Sequence, residues 1–173
     1  NLADSKLEQL GKALPASSLM FTKFSPDASH VAYVSNHNIY VEDVATHAVR
    51  QITKDGTDRL INGTFDWVYE EEFGCRDGFR WSPDGKSIAY WQIDANKIRN
   101  FLMINNTDSM YPYTIPVEYP KVGESPSACK VGVADTKASH FCFGSCECFH
   151  RWIAVALYAQ HPVAFAIHSY TGR

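Results

Sequence analysis

Long hydrophobic runs are missing from this sequence. The most apolar stretch, Trp152 to Ile167, is broken by Gln160-His161-Pro162, which leaves it too short and interrupted to cross a membrane as a helix. An excess of basic charge is missing too. Sixteen Lys and Arg stand against nineteen Asp and Glu, a formal net charge of -3, whereas a nucleic-acid-binding face would need the opposite balance. Nucleic acid is therefore not an expected partner. Cysteines are few and odd in number, and three of the five (Cys75, Cys129, Cys142, Cys146, Cys148) crowd near the end, so they are not a disulfide framework. The start, Asn1-Leu2-Ala3, has no initiator Met, basic n-region or apolar h-region; no signal peptide is visible, and the chain reads as a piece of something longer.

What is present suits a globular protein. Apolar residues make up 45% and charged residues 20% of 173, enough for one domain with its own core, and the 13% aromatic content leans towards β structure. An internal repeat sharpens that. Phe24-Ser25-Pro26-Asp27-Ala28-Ser29-His30-Val31-Ala32-Tyr33-Val34 returns as Trp81-Ser82-Pro83-Asp84-Gly85-Lys86-Ser87-Ile88-Ala89-Tyr90-Trp91. Each copy reads as a strand end, a Ser-Pro-Asp turn and a hydrophobic strand, since Pro presets φ while Asp and Gly supply side-chain bonding and a positive φ. Ala28 stands where the second copy has Gly85, so the first turn is expected to be of another type.

The alternating segment Asn38 to Val44 and the shorter Val49 to Thr53 continue a meander of antiparallel strands at roughly ten-residue spacing. The expected fold is all-β, a partial β-propeller of about two blades, preferred over a sandwich because of the repeated turn. Phe79, Trp81, Tyr90 and Trp91 are expected in the blade core. Ser5 to Leu10 predicts a turn or two of helix, stopped by Gly11 and Pro15. Tyr111 to Pro126 reads as an extended connector or irregular strand pair, and Ala128 to Val133 as a strand. The propeller unit is assigned to residues 1–137. Past Lys137 the alternation vanishes, and 138–173 is expected to be an atypical tail of non-native or frame-shifted origin. Its Cys142, Cys146, Cys148 and His150 lack the paired two-residue spacing of zinc sites, so no metal is expected, and no cofactor. His161 and His168 read as packing or surface residues.

The stretch with chemistry in it is Asp66-Trp67-Val68-Tyr69-Glu70-Glu71-Glu72. Adjacent carboxylates repel unless a cation or water relieves them, and these sit among large side chains that favour burial. In a strand, three successive Glu would point to alternate faces; to converge they need a turn or a short helical bend, where neighbours stand about 100° apart. A primary ammonium has three donors and can be held by two carboxylates at once. A Glu pair on a rigid bend is thus suited to reading a free amino terminus.

This motif, with Trp81-Ser82-Pro83-Asp84-Gly85, Ile104 to Pro112 and Glu118-Tyr119-Pro120-Lys121-Val122-Gly123, resembles the dipeptidyl peptidase IV family of serine peptidases in its bacterial branch, over residues 18 to 137. The resemblance implies an N-terminal propeller, usually eight-bladed, covering a C-terminal α/β-hydrolase domain. It also implies release of dipeptides from peptide N-termini after Pro or Ala. By position Glu71 and Glu72 would bind the substrate's amine, Glu70 would serve the bend, and Asp66, Trp67 and Tyr69 would support it. No catalytic residue is assigned, because no Gly-x-Ser-x-Gly elbow occurs in the sequence. The implied partners are the peptide N-terminus, the hydrolase domain of the full-length protein and, in the intact enzyme, a second copy. The alternative is a non-catalytic propeller that binds protein, an inactive homologue. Compartment stays open, with the periplasm or cell exterior favoured over the cytoplasm for the intact protein.

Overall fold

The computed structural model describes residues 5–137 together with the backbone of 141–143. Among the described residues are eleven strands and one short α-helix: β1 (Met20–Phe24), β2 (His30–Ser35), β3 (Asn38–Asp43), β4 (Val49–Gln51), β5 (Leu60–Asn62), α1 (Trp67–Glu71), β6 (Phe79–Trp81), β7 (Ser87–Asp94), β8 (Asn100–Asn105), β9 (Tyr113–Glu118), β10 (Ala128–Asp135) and β11 (Phe141–Phe143). β1 to β4 form a four-stranded antiparallel meander in chain order. The second sheet runs β11-β10-β7-β5, with β6 also on β7. The two sheets are the two expected blades of a partial propeller.

The second blade is a meander with two excursions. β5 and β6 lie end to end on the same edge of β7, Asn62 opposite Gln92 and Phe79 opposite Tyr90. Between them Gly63 N–H donates to the Trp91 carbonyl and Trp91 N–H to the Gly78 carbonyl, so one ladder passes the break. β5 and β6 are therefore one edge strand from which residues 64–77 bulge out, carrying α1. The neck closes where Gly78 N–H donates to the Gly63 carbonyl at 3.0 Å. A Cβ on Gly78 would lie 2.8 Å from the Gly63 carbonyl carbon, which explains why glycine stands there. The second excursion is the β8–β9 ribbon, inserted between β7 and β10. It turns Tyr111 to Pro126 into a more regular pairing than expected, with Pro116 inside a strand. A Pro is tolerated there because each strand of a two-stranded ribbon is an edge.

The blades share one core. Val34, Ile39 and Val41 of the first sheet meet Phe79, Ile88 and Tyr90 of the second. Alternation along β2, β3 and β7 places these side chains on facing surfaces, the arrangement that lets short strands bury apolar area. Phe79 and Tyr90 are buried as expected, whereas Trp81 and Trp91 are half-buried. Trp81 packs against the core and donates its indole N–H to the Lys23 carbonyl at 3.1 Å. The Arg50 guanidinium donates to the Thr136 carbonyl at 2.7 Å, a second stitch between blades.

Two expectations are corrected. Ser5 to Leu10 is not helical; a 3-10 turn forms later, at Ala16–Ser18. The reason is competition. Glu8 pairs with His47 at 3.1 Å and Gly11 N–H donates to Glu42 at 2.7 Å, contacts that a six-residue helix, too short to nucleate alone, cannot outweigh. The first Ser-Pro-Asp turn is also not of another type. Ala28 adopts φ +58° beside +68° at Gly85, and the bonds match: Ser25 Oγ donates to Asp27 and Ser82 Oγ to Asp84, both at 2.6 Å. The backbone matches as well, Ala28 N–H to Ser25 and Gly85 N–H to Ser82. Three side-chain and backbone donors around Asp27, led by the Ser25 hydroxyl, hold its carboxyl at about 2, so the turn keeps its charge. Beyond residue 137, β11 pairs antiparallel with β10, Val133 opposite Cys142. The remainder of the tail, including Cys146, Cys148, His150, His161 and His168, lies outside the described residues.

Candidate functional site

The acidic motif forms a bend of the kind its spacing requires. Asp66 is the N-cap of α1: its backbone is extended (φ -83°, ψ 179°) and its side chain accepts from Tyr69 N–H at 3.1 Å. Such a cap satisfies a donor that a helix start otherwise leaves open, contributing about 1 kcal/mol. The Glu72 N–H donates to the Val68 carbonyl, so the helical path continues into the cap. Gly74, in left-handed conformation, then turns the chain back, and Cys75 N–H donates to the Tyr69 carbonyl.

The mount beneath the bend is aromatic and partly buried. Val68 points into the protein. Tyr69 stacks on Phe65 at 5.9 Å and meets Phe73 edge-on at 5.4 Å, while Phe65 tilts against Trp91 at 6.3 Å. Trp67 leaves the opposite side and lies 4.6 Å from Tyr119, which in turn approaches Phe101 of β8 at 5.9 Å. Between α1 and the ribbon these rings, with Met103, Val117 and Lys121, line a groove of about 760 Å³. Burial pushes the Tyr69 phenol up to about 12, so it stays protonated and donates to the Ser127 carbonyl at 3.0 Å.

The three Glu are not equivalent. Glu70 is half-buried and pairs with Arg76 Nε at 3.5 Å. Glu71 and Glu72 are exposed, and among the described residues their carboxylates make no hydrogen bond or ion pair. They stand at the C-terminal end of α1, where the helix dipole disfavours negative charge and no basic residue in the last turn offsets it. Two uncompensated neighbouring carboxylates on a fixed bend can accept from one ammonium. Of the residues expected to support the bend, Asp66 caps α1 and Trp67, Tyr69 and Glu70 lie within it.

Two residues that the sequence reading missed join this site. Arg76 neutralises Glu70, and its spacing on the same excursion was a usable signal. Ser127 donates its hydroxyl to Asp66 Oδ2 and accepts from Tyr69; it lies a ribbon's length downstream, and nothing local marks it. Among the described residues no cluster of His, Cys, Asp and Glu could hold a metal ion.

Residues 1–158 match the family model of the dipeptidyl peptidase IV (DPP IV) N-terminal region, a match that runs past Lys137. Prolyl endopeptidase FAP of Mus musculus is 36% identical over 124 residues, covering 70% of this chain and 16% of that protein. Dipeptidyl peptidase 4 of Sus scrofa is 35% identical over 118 residues, covering 66% and 15%. The crystal structure of Porphyromonas gingivalis dipeptidyl peptidase 4 superimposes with a TM-score of 0.71 at 31% identity, over 82% of this chain and 19% of that one. The chain thus spans less than a fifth of the length of each of these relatives. It belongs to the dipeptidyl peptidase IV family and represents part of that family's N-terminal region.

Proposed function

We propose that this chain is the substrate-anchoring part of a serine exopeptidase that releases Xaa-Pro and Xaa-Ala dipeptides, with Glu71 and Glu72 binding the free amino terminus of the peptide. The observation that carries the reading is the contrast within the triplet: Glu70 is taken by Arg76, and Glu71 and Glu72 are exposed and, among the described residues, unpaired on a capped bend. An ammonium held by both would fix where the peptide begins, and the cleavage point two residues in follows from the distance to a nucleophile on another domain. That nucleophile would belong to the Ser-His-Asp triad of an α/β-hydrolase domain, activated as in other acyl-transfer sites. The chain itself is proposed to be inactive, since it contains no Gly-x-Ser-x-Gly elbow. The intact enzyme is proposed to self-associate, for which the exposed apolar side chains Leu102, Ile104 and Met110 of the β8–β9 ribbon and its tip offer surface.

In the full-length peptidase, Glu71→Ala and Glu72→Ala test the anchor. Each charge-assisted bond contributes roughly 1.5–3 kcal/mol, so each substitution should lower kcat/KM for a Gly-Pro chromogenic substrate by about ten- to a hundred-fold. Wild-type kcat/KM in both variants would refute the reading.

A further inference from the structure

We infer that Ser127 is a positioning residue for the amine anchor, setting the rotation and depth of α1 from the adjacent strand; the inference rests on the reading of Glu71 and Glu72 given above. A helix of five residues cannot hold its own orientation, because so few backbone bonds do not repay nucleation. Its far end offers little restraint. Glu71, Glu72, Phe73 and Gly74 are all exposed, and the Glu70–Arg76 pair lies largely in solvent, where such pairs contribute little. The orientation must come from the N-terminal end and the buried side.

Ser127 grips both. Its hydroxyl donates to Asp66 Oδ2, the oxygen left over after Oδ1 has capped Tyr69 N–H. Its carbonyl accepts from the Tyr69 hydroxyl at 3.0 Å. The two hydrogen bonds run in opposite senses and meet α1 at positions three residues apart, so a single residue fixes both translation and rotation about the helix axis. Ser127 and Asp66 are 3% and 7% exposed, which keeps water from replacing the bond between them. The grip is itself anchored. Ser127 directly precedes β10, which pairs with β7 without a break from Ala128 opposite Asp94 to Asp135 opposite Ser87. Ser127 does not touch the anchored amine; it acts through Asp66 and Tyr69 on where the Glu carboxylates stand.

The test uses the full-length peptidase and the Gly-Pro chromogenic substrate. Ser127→Ala should raise KM by about ten-fold with kcat changed by less than about two-fold, since the bend that binds the amine shifts while the triad does not. Ser127→Thr, which keeps the hydroxyl, should restore KM to near wild type. Tyr69→Phe removes the other bond of the pair and should raise KM in the same direction, and it carries the test if Ser127→Ala does not fold. The inference is overturned if Glu71→Ala is impaired while Ser127→Ala and Tyr69→Phe both keep wild-type KM. It is overturned also if Ser127→Thr is as impaired as Ser127→Ala, because the hydroxyl would then not be what matters. Should Glu71→Ala and Glu72→Ala themselves be unimpaired, the anchor reading fails and this inference with it.

Discussion

Two carboxylates in this chain show how surroundings assign a role to the same side chain. Glu42 is sealed from solvent, and burial alone would raise its pKa; donation from His47, Gly11 N–H and Tyr33 O–H outweighs that and holds it below its ordinary 4.5. It is a structural charge with both carboxylate oxygens hydrogen-bonded. Glu71, by contrast, sits in water with no partner among the described residues. The first kind of site has a pH dependence of known sign. His47 is held above its ordinary 6.5, chiefly by Glu42 and then by Glu8. Its contribution is therefore complete below pH 6.5 and is lost as pH rises through the higher folded value. Glu42, being depressed, contributes above 4.5 and loses its contribution as pH falls through its lower folded value. The latch that Glu8 and Gly11 make onto the first blade should thus be tightest between those limits. The hydrogen-exchange protection of Gly11 N–H in the full-length protein should fall on the alkaline side and stay flat there in His47→Gln. An unchanged alkaline decline in that variant would contradict the assignment.

At the level of elements, the twin turns make a matched experiment. Ala28 and Gly85 occupy the same left-handed position, where a Cβ costs about 1–2 kcal/mol and glycine's extra freedom in the unfolded chain returns part of it. A Cβ at Gly85 would meet Pro26 Cδ at 3.6 Å, an ordinary contact, so the cost is one of backbone conformation. Gly85→Ala should destabilise by about 1 kcal/mol and Ala28→Gly should stabilise by about 0.5 kcal/mol, read as thermal midpoints moving in opposite directions. Midpoints moving the same way would count against equivalent turns. These turns were legible in the sequence because Ser, Pro and Asp act on their immediate neighbours. The bend of the acidic motif was legible for another reason: adjacent Glu side chains alternate in a strand and share a side only on a turn or helical bend. The split edge strand was not. β5 and β6 are three residues each, too short for a period to show, and only their shared partner β7 makes them one strand. Ser127 was hidden for a related reason, since it meets Asp66 and Tyr69 only after the ribbon has been looped out. The supposed helix at Ser5 to Leu10 failed because Glu42 and His47, far along the chain, claim its polar groups.

For the whole molecule, two blades share a single packed interface, whereas a blade within a closed propeller is covered on both faces. Met20 and Phe24 on β1 are exposed, as is most of the β8–β9 ribbon. Apolar surface of this kind drives association when it has no cover. The isolated chain should therefore associate and melt without a sharp monomeric transition in calorimetry paired with sedimentation, and it should not turn over a Gly-Pro substrate; a cooperative monomer, or turnover above background, would contradict these expectations. Under the proposed function, the excursion from β5 to β6 has a plain purpose. A strand packed in a blade cannot present adjacent side chains to one ligand, and looping out residues 64–77 supplies a helical bend while the ladder continues behind it. The bend is proposed to read a positive charge at the peptide's start. The most direct measurement is the ratio of kcat/KM for a free-amine substrate over its N-acetylated form, in the full-length wild type and in Glu71→Gln/Glu72→Gln. A large ratio in the wild type should collapse towards one in the double variant; a ratio left unchanged by removing both charges would contradict the charge-reading role of the bend.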